Sequence, residues 1–420
     1  MAILLNSNEP AIGRGIKTVG VGKRGSKDLP AELIKEIADD FKTGKVSPVA
    51  AGAFFGGLLM KGVAPREMIL EQVFEPGVFH NFPRFMDCLA PEAPAPVKKI
   101  CVDLLAQKTL AASTAYQLGK FLLSDEPGDA ARGLAVSILR VRYETDDEYQ
   151  GLWQSFQETM AEPFRQAVPA GDPIIQFAEP FDGVDHSYMI TPLLAQYVQG
   201  LGYRAVSLVG RNSGPKSGNN LLDLIKTLNI PCAKANDDLK NCTPIFGWYF
   251  NQENLSAPLN HWVELRRQTI KRPCFATLEK FLNPAQANII ITSAFHPPYS
   301  EKMATVAQRA GFPASLVIRN GLEGTLAFSL LRPVKILGSA RQKNGSYVRE
   351  ELTLDPENYL SSKIVMEEKF ENPSLQENAR LIQEFQTQGR TNNELFNSRV
   401  KLSCEGLRRA LQWVEQHLTK

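Results

Sequence analysis

The sequence lacks the features that would assign it quickly to a class. Its six cysteines are scattered without a CxxC pair, which disfavours a zinc site or a disulfide framework and favours reduced thiols. No hydrophobic run reaches transmembrane length, and the apolar run at the start is too short for a signal peptide. A net charge of +2 over 420 residues is too small to indicate a nucleic-acid partner by itself. We therefore expect a soluble, cytoplasmic protein.

Helical patterns fill the first part of the chain, and alternating strand and helix patterns fill the rest. Residues 13–27 hold five basic residues, five glycines and no acid, so residues 1–27 are predicted to be a flexible basic arm. Residues 28–165 predict a helical domain. Residues 166–420 predict an α/β ligand domain with a mostly parallel central sheet, and residues about 255–285 are expected to return to the helical domain.

The helical domain contains a weak internal repeat with a spacing of about eighty residues. Ile138-Leu139 falls where Leu58-Leu59 stood, and Thr145–Glu148 falls where Pro65–Met68 stood. Both copies read as a cap, a helix of small residues, a polar break and a second helix. The small residues indicate close helix packing.

Two polar turns interrupt the β-α-β-α pattern of residues 173–230. The second turn contains Arg211, Lys216, Ser217, Gly218 and Asn219 just before a helix. Such a turn suits a phosphate or carboxylate through its N–H groups and basic side chains. The alternative is a plain polar turn in which Asn219 caps the helix.

The order of several segments resembles the anthranilate phosphoribosyltransferase family, whose relatives include pyrimidine nucleoside phosphorylases. The segments are LLSDEPGDAARGLAVSILRVRYE, KSGNNLLDLIKTLNI, RRQTIKRPCFATLEKFLNPA and ASLVIRNGLEG, spread over residues 120–415. The resemblance implies a helical domain plus an α/β domain, a phosphoribosyl-type ligand between them, and a homodimer formed by the helical domain. The duplication could instead fill that surface internally and leave a monomer.

The family's diphosphate motifs are altered in this chain. The turn that resembles its GTGGD motif reads AEPFDG, which keeps Asp182 and Gly183 but places bulky Glu179 before them. Thr191 is the remnant of the asparagine–Ser/Thr motif. The Asp-Glu pair that holds Mg²⁺ in the family falls on Leu326-Ala327, so we expect no cofactor, and any Mg²⁺ would lack its usual carboxylates.

Further candidates come from the same resemblance and from local chemistry. Arg266 matches the family arginine that contacts the aromatic acid, and it stands among Arg267, Lys271 and Arg272. His296, just past a strand end, is interpreted as a ligand contact, with a structural cap as the alternative. Asp182, Asp185 and His186 allow an acid–base interpretation, against the commoner one of an Asp-Gly turn. The predicted ligand-binding residues are Asp182, Gly183, Thr191, Arg211, Lys216, Ser217, Gly218, Asn219, Arg266 and His296, with no catalytic residue and no metal ligand assigned.

Two specific functions remain open, beside a less specific one in which a regulatory or scaffold protein has lost its chemistry and keeps the dimer surface. The first is binding of an anionic, phosphorylated ligand in the interdomain cleft, with transferase activity in doubt. The second is nucleic-acid binding without sequence preference, through the basic arm and the cations at residues 266–272. PFDGVDHSYMITPLLA and SAFHPPYSEKMA resemble a diverged subgroup of the family that lacks the diphosphate motif and includes nucleic-acid binders.

Overall fold

The computed structural model of the chain describes residues 9–22, 25–214, 218–241, 243–295, 297–319, 322–359 and 373–418. These residues form two compact units. The first unit contains the described residues up to Glu158, a short piece at residues 213–214, and His261–Leu278. The second contains the remainder. The sequence predicts a boundary at residue 165 and a returning segment over about 255–285.

The first unit is helical. Its helices before residue 158 are α1 (Ala11–Val19), α2 (Ala31–Lys42), α3 (Pro48–Lys61), α4 (Phe82–Leu89), α5 (Ala95–Leu105), α6 (Ala112–Leu122), α7 (Asp129–Arg142) and α8 (Asp146–Gln157). Short 3-10 helices cover Pro65–Val73 and Val78–His80, so the second helix predicted in the first repeat copy is a 3-10 helix.

The rest of the chain alternates strands and helices. In chain order the elements are β1 (Ile174–Ala178), α9 (Thr191–Gly200), β2 (Arg204–Val209), α10 (Leu221–Thr227), β3 (Trp248–Asn251), α11 (Gln252–Leu255), α12 (Ala257–Thr269), α13 (Phe275–Leu278), β4 (Ile289–Ser293), α14 (Pro298–Arg309), β5 (Ala314–Arg319), β6 (Val334–Arg341), β7 (Tyr347–Leu354), α15 (Leu375–Gln388) and α16 (Glu394–Leu418). Further 3-10 helices cover Glu162–Phe164, Asn236–Lys240, Glu279–Phe281 and Pro356–Asn358.

The second unit is built on one seven-stranded sheet with the order β3-β2-β1-β4-β5-β6-β7. β1 to β5 are mutually parallel, and β6 and β7 join antiparallel at one end. Every residue of β1 and β4 is buried, which matches their mainly apolar sequences. The strand order reverses at β1, because β2 lies on one side of it and β4 on the other. The carboxyl ends of β1 and β4 therefore flank the point where ligands bind in open α/β sheets. The predicted fold class, an all-α part plus an α/β part with a mostly parallel sheet, is confirmed.

The prediction of a flexible arm over residues 1–27 is wrong for Ala11–Val19, which form α1. Ile16 and Val19 are almost fully buried in the first unit, so an apolar face outweighs the conformational freedom of the glycines. Two of the basic side chains are paired with acids. Arg14 forms an ion pair with Glu36, and Lys17 lies 2.7 Å from Glu9.

The internal repeat is real, and its spacing is 81 residues. α3 begins at Pro48 and ends at Lys61, and α7 begins at Asp129 and ends at Arg142, so both ends differ by 81 positions. α2 and α6 also begin 81 positions apart, at Ala31 and Ala112. The sequence alignment, which paired Met68 with Glu148, is therefore wrong by one residue. Glu67 is the counterpart of Glu148.

These two glutamates perform the same task in the two copies. Glu67 accepts hydrogen bonds from Leu29 N at 2.8 Å and from Ala64 N at 2.7 Å. Glu148 accepts them from Leu110 N at 2.9 Å and from Thr145 N at 2.8 Å. Both side chains are fully buried, and each also receives a cation, Lys61 in the first copy and Arg142 in the second. A single carboxylate thus joins the start of one helix to the turn after another in each copy.

Glu148→Gln should destabilise the protein by about 3 kcal/mol. The change leaves Arg142 buried without its carboxylate and places an amide N–H against a backbone N–H. The measurement is urea unfolding followed by far-UV circular dichroism. Glu301→Gln is the matched control, because Glu301 pairs with Arg349 while largely exposed. Equal shifts in the unfolding midpoint for both variants would contradict this role of Glu148.

Candidate functional site

The first turn at the carboxyl edge of the sheet begins with a buried glutamate. Glu179 follows β1 directly, is 5% exposed, and accepts a hydrogen bond from Leu326 N at 3.0 Å. Burial raises the pKa of Glu179 above its ordinary value, while the hydrogen bond from Leu326 N and the charge of Lys280 act in the opposite direction. The carboxylate therefore ties the turn after β1 to the segment at Leu326-Ala327.

A buried lysine lies in the same part of the second unit. Lys280 is 2% exposed, and its Nζ lies 3.4 Å from Thr292 Oγ1. Thr292 in turn donates a hydrogen bond to Ala178 O at 2.8 Å, across the ends of β4 and β1. The negative charge of Glu179 thus has a buried positive charge to interact with, as the burial of either ion requires.

The two polar turns are joined by their backbones. Val184 N donates to Asn219 O at 2.9 Å, which makes a short antiparallel bridge. Gly183 has a φ of +77°, and a Cβ atom there would lie 2.5 Å from Gly218 O. Only glycine fits this close approach. The structure therefore brings three predicted site residues, Gly183, Gly218 and Asn219, together at the carboxyl edge of the sheet.

The cap of α10 is Asn220, so the alternative in which Asn219 caps this helix is wrong. Asn220 Oδ1 accepts from Asp223 N at 2.9 Å, and its Nδ2 donates to Phe181 O and Gly210 O, both at 3.1 Å. Asn219 turns elsewhere, since its Nδ2 donates to Pro373 O at 2.7 Å. One asparagine thus caps the helix and links both turns.

Arg211 is held by two hydrogen bonds to Asn260. Its Nε donates to Asn260 Oδ1 and one terminal nitrogen donates to Asn260 O, both at 2.8 Å. The guanidinium remains half-buried on the turn after β2. A cation held by two hydrogen bonds loses little side-chain freedom when it meets an anion.

The remaining residues of the first turn are buried or engaged. Asp182 is 1% exposed and Thr191 is fully buried as the first residue of α9. Asp185 N and His186 N donate to Glu323 Oε2 at 2.6 and 3.0 Å, which is the hydrogen bonding of a structural turn. Lys216, Ser217 and His296 lie outside the described residues. Among the residues that the structure describes, no group of three or more His, Cys, Asp or Glu side chains could hold a metal ion.

Arg266 belongs to the first unit, on α12, and is 3% exposed. Its neighbours in sequence are also engaged within that unit. Arg267 pairs with Glu264 at 2.9 Å, and Lys271 Nζ donates to Lys17 O at 3.2 Å. Burial lowers the pKa of Lys271 to about 8, with further lowering by Arg140 and Lys17. The two basic segments predicted from sequence therefore meet at Lys17 and Lys271.

Sequence reasoning missed several residues that shape this edge. The sequence marks Glu179 only as a bulky departure from the family's turn, whereas in the structure its carboxylate is an internal hydrogen-bond acceptor. Asn220 and Glu323 lie within segments that resemble the family but were given no role, and Asn260 lies outside those segments. The one available signal was Asn220 itself, three residues before an acidic residue at a helix start. Asn260 and Glu323 are distant in sequence from the turns they hold, so no local pattern marks them.

Within the part of the chain that the structure describes, no helix combines the length and apolar character needed to cross a membrane.

The chain is similar to known proteins in sequence and in fold. An anthranilate phosphoribosyltransferase of Geobacillus stearothermophilus is 25% identical over 234 residues, which are 54% of this chain and 66% of that protein. An uncharacterized protein of Aquifex aeolicus is 25% identical over 51% of this chain and 63% of its own length. The chain thus spans slightly less than two thirds of these relatives.

Solved structures show the same fold. The anthranilate phosphoribosyltransferase of Thermus thermophilus matches with a TM-score of 0.54 and 17% identity, over 77% of this chain and 98% of that one. The enzyme of Saccharomyces cerevisiae in complex with PRPP and Mg matches with a TM-score of 0.55 and 14% identity, also over 77% and 98%.

A family model settles the relationship. The model described as "Glycosyl transferase family, a/b domain" matches residues 183–406, more than half of the chain. The match includes part of the turn after β1, the whole turn after β2 and the strands β2 to β7. The chain therefore belongs to the glycosyl transferase family defined by this a/b domain.

Proposed function

We propose that this protein binds an anionic, phosphorylated ligand of the phosphoribosyl type at the carboxyl edge of its sheet, and that it does not carry out Mg²⁺-dependent phosphoribosyl transfer. The observation that carries the proposal is the hydrogen bond between the Glu179 carboxylate and Leu326 N. The yeast relative has been solved with PRPP and Mg, which supports the ligand class.

Glu179 uses groups that an incoming diphosphate would need. Leu326 N supplies a hydrogen bond and Lys280 supplies positive charge, both to a carboxylate of the chain itself. A diphosphate at this position would meet a like charge and would have to displace a buried hydrogen bond. Phe181, 5% exposed, fills further space against the backbone of Gly210.

The two positions that resemble the family's Mg²⁺-binding pair support the same conclusion. Mg²⁺ in phosphate-transfer sites is held by carboxylates together with phosphate oxygens. The two positions that resemble the family's acidic pair are Leu326 and Ala327, which are 0% and 1% exposed. Neither side chain offers an oxygen ligand.

Arg211 is the positive group that we assign to the ligand. It lies on the turn after β2, and that turn is bridged to the turn after β1 through Val184 and Asn219. Two hydrogen bonds to Asn260 orient the guanidinium of Arg211 before a ligand binds. Arginine pairs with phosphate through charged hydrogen bonds, which are stronger than neutral ones.

Calorimetric titration with phosphoribosyl diphosphate should give the same affinity with and without Mg²⁺, because Leu326 and Ala327 offer no metal ligand. Glu179→Ala should bind the ligand roughly tenfold or more tightly, since a like charge is removed from the turn. Mg²⁺ should still have no effect on that variant.

Glu179→Gln is the companion variant, because it removes the charge, retains the shape and keeps an acceptor for Leu326 N. It guards against loss of folding in Glu179→Ala, where Lys280 loses its counter-charge. Tight binding of phosphoribosyl diphosphate by the unaltered protein only when Mg²⁺ is present would contradict the proposal.

Arg211→Ala should weaken binding of phosphoribosyl diphosphate by roughly tenfold or more, the usual loss for one hydrogen bond to a charged group. Arg204→Ala is the matched control. Arg204 begins β2 at the opposite edge of the sheet and donates to Asp172 O and Pro169 O, both at 2.9 Å. The measurement is the same titration on both variants. Equal losses, or no loss in Arg211→Ala, would remove Arg211 from the site.

A second candidate function is nucleic-acid binding by the first unit. The observation that favours it is the convergence of cations from three segments, Lys17 on α1, Arg140 on α7 and Lys271 after α12. Their mutual repulsion contributes to the lowered pKa of Lys271, and a phosphate would relieve it. Glu9 opposes them by pairing with Lys17.

Binding to a single-stranded oligonucleotide should fall roughly tenfold or more between about 50 and 200 mM salt if this surface makes several phosphate contacts. Lys17→Gln and Lys271→Gln should each flatten that dependence, as measured by fluorescence anisotropy. Lys108→Gln is the control, because Lys108 is exposed and pairs only locally with Asp103. An unchanged salt dependence in both test variants would exclude this surface. Point changes are preferable to removal of residues 1–27, since α1 carries buried residues of the first unit.

A further inference from the structure

The two copies of the internal repeat pack against each other by reciprocal contacts. A Cβ atom added to Gly52 on α3 would overlap Ala130 O on α7, and one added to Gly133 on α7 would overlap Val49 O on α3. Val49 and Ala130 are repeat counterparts, and so are Gly52 and Gly133, each pair being 81 positions apart. The contact is therefore reciprocal, because the glycine of each helix lies against the equivalent backbone position of the other helix.

The centre of this contact brings counterpart positions face to face. Gly56 and Ser137 are also 81 positions apart, and a Cβ atom on Gly56 would lie 3.3 Å from Ser137 Cβ. Ser137 Oγ donates to Ala53 O at 2.7 Å across the same contact. A residue meets its own counterpart only where a two-fold axis passes between them. α3 and α7 are thus related by a local two-fold axis near Gly56 and Ser137.

The contact surface between α3 and α7 is buried within the chain. All ten residues from Val49 to Leu58 are buried, and α7 is buried along most of its length. Small residues let the two backbones approach closely, as in tightly packed helix pairs. A second chain could reach this face only if the two copies separated.

We infer that the first repeat copy serves as a built-in partner for the second, taking the place of a second copy of the chain, so that the protein is a monomer in solution. The size of the chain supports this. The Thermus structure is matched over 98% of its length by 77% of this chain. The unmatched remainder is about the size of one repeat copy. The inference concerns the first unit and is independent of the proposed ligand.

The test is a disulfide across the local two-fold axis. In the double variant Gly56→Cys with Ser137→Cys, the separation of the two Cβ positions is close to the roughly 3.8 Å of a natural disulfide. Mild oxidation with diamide should join the two sulfurs within one chain. The expected product is a single chain that has lost two hydrogens by mass spectrometry and runs as a monomer on a non-reducing gel.

Sedimentation of the unaltered protein should give the monomer mass of 46.6 kDa over about a hundredfold range of concentration, because a dimer would grow by mass action. This measurement decides the question even if the double variant fails to fold. A dimer mass for the unaltered protein would overturn the inference. So would covalent dimers of the double variant, or covalent dimers of either single cysteine variant.

Two controls accompany the cross-linking. Gly56→Ala adds the same Cβ, 2.8 Å from Leu134 O, without a thiol, and it separates the effect of crowding from that of the disulfide. The unaltered protein, treated with diamide, accounts for native cysteines such as Cys88, Cys232 and Cys404, which are partly exposed.

Discussion

A buried carboxylate that accepts hydrogen bonds from backbone N–H groups is the interaction on which both units depend. Glu67 and Glu148 perform it in the two repeat copies, where each glutamate bonds a helix start that lies 38 residues before it in the sequence. Glu179 performs it in the second unit, where it joins the end of β1 to Leu326. Removing such a charge from water is costly, so each carboxylate is stable only because its donors and a nearby cation are in place. The hydrogen bonds that stabilise each buried carboxylate therefore also hold the turns in place.

This constraint also shapes what the edge of the sheet can bind. A phosphate site needs N–H donors and positive charge that are directed at an empty space. At the end of β1 these groups are directed at Glu179, whereas at the end of β2 the guanidinium of Arg211 is oriented by a neutral asparagine. The two turns thus differ in charge although their backbones are bridged. We therefore place the proposed anion at the second turn rather than at the first.

Much of the fold was predictable because its patterns are local. The β-α-β-α pattern predicted for residues 173–230 is found as β1, α9, β2 and α10. The repeat was visible, but its predicted register was off by one residue because few identities survive between the copies. The helix bounds and the hydrogen bonds of Glu67 and Glu148 fix the pairing. The site was less predictable. Glu179 accepts a hydrogen bond from Leu326 N, and Arg211 donates to Asn260. Both partners are far away in the sequence, so no local pattern predicts them.

The local two-fold axis between α3 and α7 has a consequence for how this surface changes over time. In a symmetric pair of identical chains, every substitution is introduced twice, once on each side. Here each side is encoded separately, so one side can change while the other compensates. The differences are already present, since Gly62 and Tyr143 end the two helices with φ of 92° and 67°, a conformation that only glycine adopts without strain. Because the repeat encodes the two sides separately, each surface has to be complementary only to the other and not to itself.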